Sequence, residues 1–194
     1  MEENIRGFWR LKNYCRSRSI IDYFRLDSFH RTAFNNENKM KILALDLGTK
    51  TGWAFGDAED IRRVYSGVQD FSLKRGESSG MRLLSFDKWV YEMLAKHKPK
   101  MVGYEMPHQR GGHATQLLLG MLGVLHVACT KAGIEYSSVH SATLKKSATG
   151  SGRASKEQMI SLAMVKFKRK IIDDNEADAL HILAWARDTF EKEK

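Results

Sequence analysis

The sequence predicts an α/β protein with a mixed central sheet that begins with three antiparallel strands and carries helices on both faces. Two observations lead to this fold class. From residue 40 onward, short apolar runs alternate with longer segments whose apolar residues recur at a helical period. The first three runs follow one another without a helix between them, as in hairpins, whereas helices separate the later runs, as between parallel strands.

The strands are predicted from apolar runs that turn residues bound. One such run opens the domain, and Gly48, Thr49 and Gly52 then turn the chain into the second strand of a hairpin. The predicted strands span residues 41–47, 53–56, 64–71, 101–105 and 134–139.

The helices are predicted from apolar periodicity and from end signals. The first ends at a basic pair before Pro99, the second is apolar nearly all round, and Ser155 stands where it would cap the third. The predicted helices span residues 79–98, 114–132, 155–166 and 176–192.

Length and composition favour one domain preceded by an extension. The chain has 194 residues, 42% of them hydrophobic, a net charge of +9, and two cysteines without metal-ligand or disulfide spacing. No continuous apolar run reaches the ~18 residues that a membrane span requires, so we expect a cytoplasmic protein. The patterned domain is expected at 40–194. Residues 1–39 are expected to be a basic extension, either an arm that helps hold DNA or an appendage, disordered or produced by an upstream start codon.

Acidic residues interrupt the apolar strands. Asp46 lies near the end of the first strand and Glu105 ends the fourth. An unpaired buried carboxylate is unfavourable by roughly several kcal/mol. Asp178 lies in the last helix, with Asp174 and Asn175 one turn before it on the same face. Carboxylates from two strands and one helix can therefore converge on a divalent cation such as Mg²⁺ or Mn²⁺. Taken singly, each residue is better explained by a turn, an ion pair or ordinary helix-terminal charge.

Four motifs, taken together and in this order, resemble those of the RuvC-like Holliday junction resolvases, which have the ribonuclease H-like fold. The motifs are LALDLGTKTGWAF, KPKMVGYEMPHQRGGHATQLLLGMLGVL, HSATLKKSATGSGRASKEQMI and NEADALHILAWA, and they cover about residues 40–186. The resemblance implies that Asp46, Glu105 and Asp178 hold the catalytic metal and that Lys145 and Lys156 contact DNA phosphates.

The chain departs from this family at the fourth ligand. The family carries an acidic residue or a histidine three positions before the final aspartate, where this chain has Asn175. An amide oxygen can bind a metal but brings no charge. Asp174 is one residue away, so either Asn175 or Asp174 is expected to complete the metal shell. If Asn175 does so, Asn175→Asp is expected to preserve or increase cleavage.

Basic residues flank the segment TGSGRAS, whose glycines let the backbone approach phosphates. The expected DNA contacts there are Lys145, Lys146, Arg153 and Lys156. In the loop after the fourth strand, Arg110 is expected to reach the centre of a junction.

The resemblance implies a metal-dependent endonuclease that resolves Holliday junctions or other branched DNA by paired nicks. It further implies Mg²⁺, with Mn²⁺ as a substitute and two ions per site, a homodimer, and the cytoplasm of a bacterial or phage-infected cell. Two alternatives stay open: an RNA-processing nuclease of the YqgF type and a catalytically impaired DNA-binding homologue. DLGTKTG also resembles the phosphate loop of actin-like ATPases, but the chain is too short for the two related domains of such proteins.

Overall fold

A five-stranded mixed sheet forms within residues 40–57, 60, 63–107 and 111–190, which are the residues that the computed structural model describes. The strands are β1 (Lys41–Asp46), β2 (Lys50–Asp57), β3 (Val64–Asp70), β4 (Met101–Glu105) and β5 (Glu135–Val139). Their order is β3-β2-β1-β4-β5; β2 is antiparallel to β1 and β3, whereas β4 is parallel to β1 and β5. The predicted mixed sheet with three antiparallel N-terminal strands is confirmed.

Helices cover both faces of this sheet. They are α1 (Ser79–His97), α2 (His113–Ala132), α3 (Ser141–Thr149), α4 (Lys156–Phe167) and α5 (Asp174–Phe190). Side chains alternate between the faces along β1: Ile42 and Ala44 join the core formed with α3, α4 and α5, and Leu43 and Leu45 join the core formed with α1 and α2. The predicted α/β class with two helical layers is therefore correct.

Most predicted ends lie within one residue of the observed ones, and three features differ by more. Helix α3 is not among the predicted helices, and it buries one residue, Leu144, against the core. Strand β2 begins at Lys50 rather than Trp53, because residues 50–52 continue the ladder with β3, where Lys50 pairs with Asp70. The Thr51 side chain is fully buried, and its hydroxyl donates to Gly48 O (2.8 Å). Helix α5 begins two residues earlier than predicted. The predicted extension 1–39 lies outside the described residues.

Helix α2 corrects the expectation that no segment is apolar enough to span a membrane. The segment Ala114–Ala132 is long and apolar enough to cross a membrane, judged by length and composition alone. Only 22% of this segment is buried inside the structure. Glycine, threonine, glutamine and histidine interrupt every run, so the search for a continuous apolar stretch missed this segment. The buried side of α2 packs on the sheet through Met121, Leu125 and Ala128.

Candidate active site

The ends of two parallel strands bring Asp46 and Glu105 together. The register pairs Leu45 of β1 with Tyr104 of β4, so Asp46 and Glu105 are the next residues along adjacent strands. Because side chains alternate, Asp46 continues the face of Ile42 and Ala44, and Glu105 continues the face of Gly103. This is the face that α5 covers, since a Cβ on Gly103 would lie 3.3 Å from side-chain atoms of α5. Both carboxylates therefore face the helix that carries Asp178.

Asp178 and Glu105 line one cavity at this edge of the sheet. The cavity has a volume of about 120 Å³ and also contains the side chains of Asp174, Lys145 and Lys156. Helix α3 contributes Lys145, helix α4 contributes Lys156, and α5 contributes both aspartates. The fold thus brings together residues that are far apart in the sequence: Glu105 and Asp178 are separated by 73 positions. Three of them are acidic and two are basic.

The carboxylates repel one another in the metal-free protein. Burial raises the pKa of Asp46 well above its ordinary value, and the charges of Asp178 and Glu105 raise it further. Burial also raises the pKa of Asp178 to about 6, with the charge of Glu105 as the next cause. Both groups are therefore harder to ionise than free carboxylates, because negative charge accumulates in a place where water solvates it poorly. A cation at this position would relieve that cost.

Lys156 already supplies part of the positive charge. Its Nζ donates a hydrogen bond to Asp174 Oδ2, and this contact is the main reason why the pKa of Asp174 is lowered and that of Lys156 raised. The Lys145 charge lowers the pKa of Asp178, as does that of Lys156. Of the two candidates for a fourth ligand, Asp174 is thus engaged by a lysine.

Asn175 lies beside Asp46 through a close backbone approach. Gly52 is the register partner of Asp46, and a Cβ on Gly52 would lie 1.9 Å from the backbone oxygen of Asn175. Only glycine leaves room for α5 to begin at this point on the sheet. The Asn175 side chain is held by Asp173, whose Oδ1 accepts from Asn175 Nδ2 at 2.9 Å.

A second contact fixes the start of α5 from the side of β3. Ser66 of β3 donates to Glu176 Oε1 and accepts from Arg169 Nη2, and Arg169 Nη1 donates to Val64 O (2.9 Å). The edge strand, the loop before α5 and the first turn of α5 are therefore linked by hydrogen bonds. Sequence reasoning did not identify this group, because its members are 110 residues apart and none of them interrupts an apolar run.

The turn that carries Asp46 is also fixed from outside. Arg82 of α1 donates from Nε to Phe71 O (3.0 Å) and from Nη1 to Thr49 Oγ1 (3.2 Å). Together with the bond from the Thr51 hydroxyl to Gly48 O, these contacts hold the turn between β1 and β2. The turn was recognised from its glycines, whereas Arg82 was missed because a single arginine on a helix carries no sequence signal.

The other predicted DNA contacts have different positions. Lys146 is exposed on α3 and Arg153 is exposed in the turn before α4, and neither lines the cavity. Ser155 caps α4 as predicted: its Oγ accepts from Gln158 N (3.3 Å), and Gln158 Oε1 accepts from Ser155 N (2.9 Å). Arg110 lies outside the described residues.

The oxygen-rich site fits a hard divalent cation in its chemistry. Carboxylates from β1, β4 and α5 are the oxygen donors that Mg²⁺ and Mn²⁺ prefer, and their mutual repulsion favours a cation. Within the described residues, no three His, Cys, Asp or Glu side chains form a ready metal-binding group. Mg²⁺ usually keeps several waters and takes substrate phosphate oxygens, so a partial protein shell is compatible with this ion.

Known proteins share this sequence pattern. The family model of the crossover junction endodeoxyribonuclease RuvC matches residues 42–185. The enzyme of that name from Ruegeria pomeroyi is 30% identical over 149 residues, which are 76% of this chain and 88% of the relative. The one from Azorhizobium caulinodans is 27% identical over 146 residues, which are 74% of this chain and 86% of the relative.

Solved structures share the fold. Thermus thermophilus RuvC superposes with a TM-score of 0.65 at 22% identity, covering 79% of this chain and 97% of that chain. The same protein in complex with a Holliday junction substrate gives a TM-score of 0.66 at 21% identity, over 78% and 96% of the two chains. This likeness identifies the ribonuclease H-like fold.

Proposed function

The chain belongs to the RuvC family of crossover junction endodeoxyribonucleases, and on that premise we propose that it resolves Holliday junctions or related branched DNA by paired, metal-dependent nicks. The observation that carries the proposal is the convergence of Asp46, Glu105 and Asp178 beside two lysines at one edge of the sheet. Such an enzyme would act on DNA in the cytoplasm of a bacterial or phage-infected cell.

The three carboxylates would hold two Mg²⁺ ions per active site, or Mn²⁺ in their place. When bound, these ions activate water and stabilise the leaving oxygen of a phosphodiester. The raised pKa of Asp46 supports this assignment, because a buried group that resists ionisation gains most from a cation. We favour Asn175 as the fourth ligand, since its backbone lies against Gly52, the register partner of Asp46. Asp174 lines the cavity, but its carboxylate is engaged by Lys156.

Lys145 and Lys156 would bind the phosphate next to the site. Both line the cavity of Glu105 and Asp178, and both lower the pKa of Asp178 through their charge. The contact between Lys156 and Asp174 keeps this lysine over the cavity, where a phosphate would meet it. Lys146 and Arg153 are exposed nearby, so they would contact the DNA backbone at a greater distance from the scissile bond. Arg110 stays a predicted contact with the junction centre.

Helix α2 supports a homodimer. Leu119 and Val127 are 43% and 52% exposed, and Gly123 lies midway between them at helical spacing with open space where a Cβ would be. These residues form an apolar stripe on the side of α2 that faces away from the sheet. We expect the same stripe of a second copy to cover it, which would place two active sites on a two-fold symmetric junction.

A comparison of nucleic-acid substrates tests the proposal. The protein is incubated with Mg²⁺ and a labelled four-way junction, a linear duplex of the same sequence, or a structured RNA. We expect symmetric nicks across the junction and little cleavage of the duplex. Preferred cleavage of RNA would indicate a nuclease of the YqgF type instead, and junction binding without cleavage under Mg²⁺ or Mn²⁺ would indicate a catalytically impaired homologue.

A further inference from the structure

Asp173 binds both nitrogen atoms of Asn175. Its Oδ1 accepts hydrogen bonds from the backbone N and from the side-chain Nδ2 of Asn175, each at 2.9 Å. Its backbone oxygen accepts the first hydrogen bond of α5, from Ala177 N at 3.1 Å. Asp173 is thus the N-cap of α5, and in addition it holds the side chain of a residue in the proposed active site.

These contacts determine which atom of the Asn175 amide is available. An ionised carboxylate can only accept hydrogen bonds, so the amide must present its NH₂ group to Asp173. Oδ1 is therefore the amide atom that points away from Asp173. The backbone of Asn175 is itself fixed against Gly52, the register partner of Asp46. Both the position and the orientation of the amide are therefore set before any ligand binds.

We propose that Asp173 is a positioning residue that orients Asn175 Oδ1 toward the active site and makes an acidic residue at position 175 unfavourable. The catalytic part of this inference rests on the proposed function; the coupling between the two side chains does not. An aspartate at position 175 would replace the Nδ2 donor by an acceptor oxygen about 3 Å from Asp173 Oδ1, so the hydrogen bond would be lost and two acceptors would face each other.

The inference reverses an expectation from the sequence. A charged oxygen normally binds Mg²⁺ better than an amide oxygen, which predicts that Asn175→Asp preserves or increases cleavage. With Asp173 in contact, the same substitution removes a hydrogen bond and leaves two acceptor oxygens facing each other. A double variant, Asp173→Asn with Asn175→Asp, should restore the contact. In it the amide stands at position 173 and the carboxylate at position 175, so residue 173 can donate the hydrogen bond and residue 175 can accept it.

A double-mutant cycle on the metal-free protein tests the coupling. Thermal unfolding is measured in EDTA at pH 8 for the wild type, Asp173→Asn, Asn175→Asp and the double variant. Asn175→Asp alone is expected to lower the Tm by about 2–4 °C, as for a loss near 1 kcal/mol in a chain of this size. In the Asp173→Asn background the loss should be less than half as large. Additive effects would overturn the inference.

Asp70 provides a matched control. Its Oδ1 also accepts a hydrogen bond from the backbone N two residues ahead, Ser72 at 2.7 Å, but it lies at the end of the edge strand β3. Asp70→Asn should not change the Tm loss caused by Asn175→Asp. If Asp70→Asn reduces this Tm loss as much as Asp173→Asn does, the loss depends on the total charge of the protein, and the coupling to Asp173 is wrong.

Cleavage of a four-way junction gives the second readout. Asn175→Asp should reduce the rate about 10–100-fold, the usual effect of disturbing a residue that orients a metal ligand, and the double variant should recover most of it. A single variant that cuts as well as the wild type would overturn the proposal. If the wild type cuts no DNA, the proposed function fails, whereas the cycle in EDTA still decides whether Asp173 and Asn175 are coupled.

Discussion

The backbone oxygen of Asn175 occupies the space that a side chain on Gly52 would need: a Cβ at Gly52 would lie 1.9 Å from it. Gly52 pairs with Asp46 across the first hairpin, so this approach brings the start of α5 next to the carboxylate at the end of β1. The start of α5 can therefore lie this close to the end of β1 only because residue 52 has no Cβ.

Gly52→Ala should displace the start of α5. The added Cβ meets backbone rather than a flexible side chain, so we expect a loss of stability of about 1–3 kcal/mol. Junction cleavage should fall by about 100-fold if the displacement approaches 1 Å. Thermal unfolding and single-turnover cleavage measure the two effects. Gly80→Ala is the matched control, because its Cβ would meet no atom closer than 3.6 Å; equal behaviour of both variants would contradict the described packing.

The acidic cluster should make stability depend on pH in a defined direction. The pKa of Asp178 is raised from 3.8 to about 6, so the folded protein holds this proton more tightly than the unfolded chain does. The resulting stability is present below pH 3.8 and is lost as the pH rises to about 6. In EDTA, the Tm of Asp178→Asn should therefore rise relative to that of the wild type as the pH increases from 4 to 7, by about 6–12 °C. A pKa raised from 3.8 to about 6 corresponds to about 3 kcal/mol, and about 1 kcal/mol corresponds to about 2–4 °C in a chain of this size. A constant difference across this range would show that Asp178 is not destabilised by its surroundings.

The two lysines at the cavity should contribute to the salt dependence of DNA binding. Lys145→Ala and Lys156→Ala should each weaken junction binding in EDTA and reduce the slope of log K against log salt by up to about 0.9, because each phosphate contact releases counterions. Lys96→Ala is the control, since Lys96 is exposed at the end of α1 on the other face of the sheet. Slopes that stay unchanged in the first two variants would remove these lysines from the DNA interface.

The patterned domain is expected to work without the N-terminal extension. The first strand begins at Lys41 and the family model matches from residue 42, so a protein that starts at Met40 should fold, dimerise and cut junctions. Analytical ultracentrifugation and the cleavage assay compare it with the full chain. Insolubility, or junction binding that is weaker by a factor of about ten, equal to 1.4 kcal/mol, would make residues 1–39 part of the working protein.

Much of the fold followed from the sequence because burial leaves a clear pattern. The strands that end in Asp46 and Glu105 are apolar runs, and α4 is preceded by a capping serine whose partner, Gln158, stands three residues later. Helix α3 was missed because it buries a single side chain, Leu144, and the rest of it is short and polar. Such a helix has no apolar period to detect.

The site was only partly predictable for a related reason. Acidic residues at strand ends conflict with their surroundings, and that conflict identified Asp46 and Glu105. The role of Asp173 went unnoticed because the helix was expected to begin at 176, which hid its position as the N-cap of α5. The contact of Lys156 with Asp174 depends on how α4 packs on α5, which no local pattern encodes.

Amide substitutions at the strand ends test the central claim most directly. Junction cleavage in Mg²⁺ and junction binding in EDTA are measured side by side for the wild type, Asp46→Asn and Glu105→Gln. We expect paired nicks by the wild type and almost none by either variant, because the charge that binds the cation is lost. Both variants should bind the junction about as well as the wild type, because Lys145 and Lys156 remain. Cleavage that survives both substitutions, or binding that collapses together with cleavage, would contradict the assignment of these carboxylates as the catalytic centre.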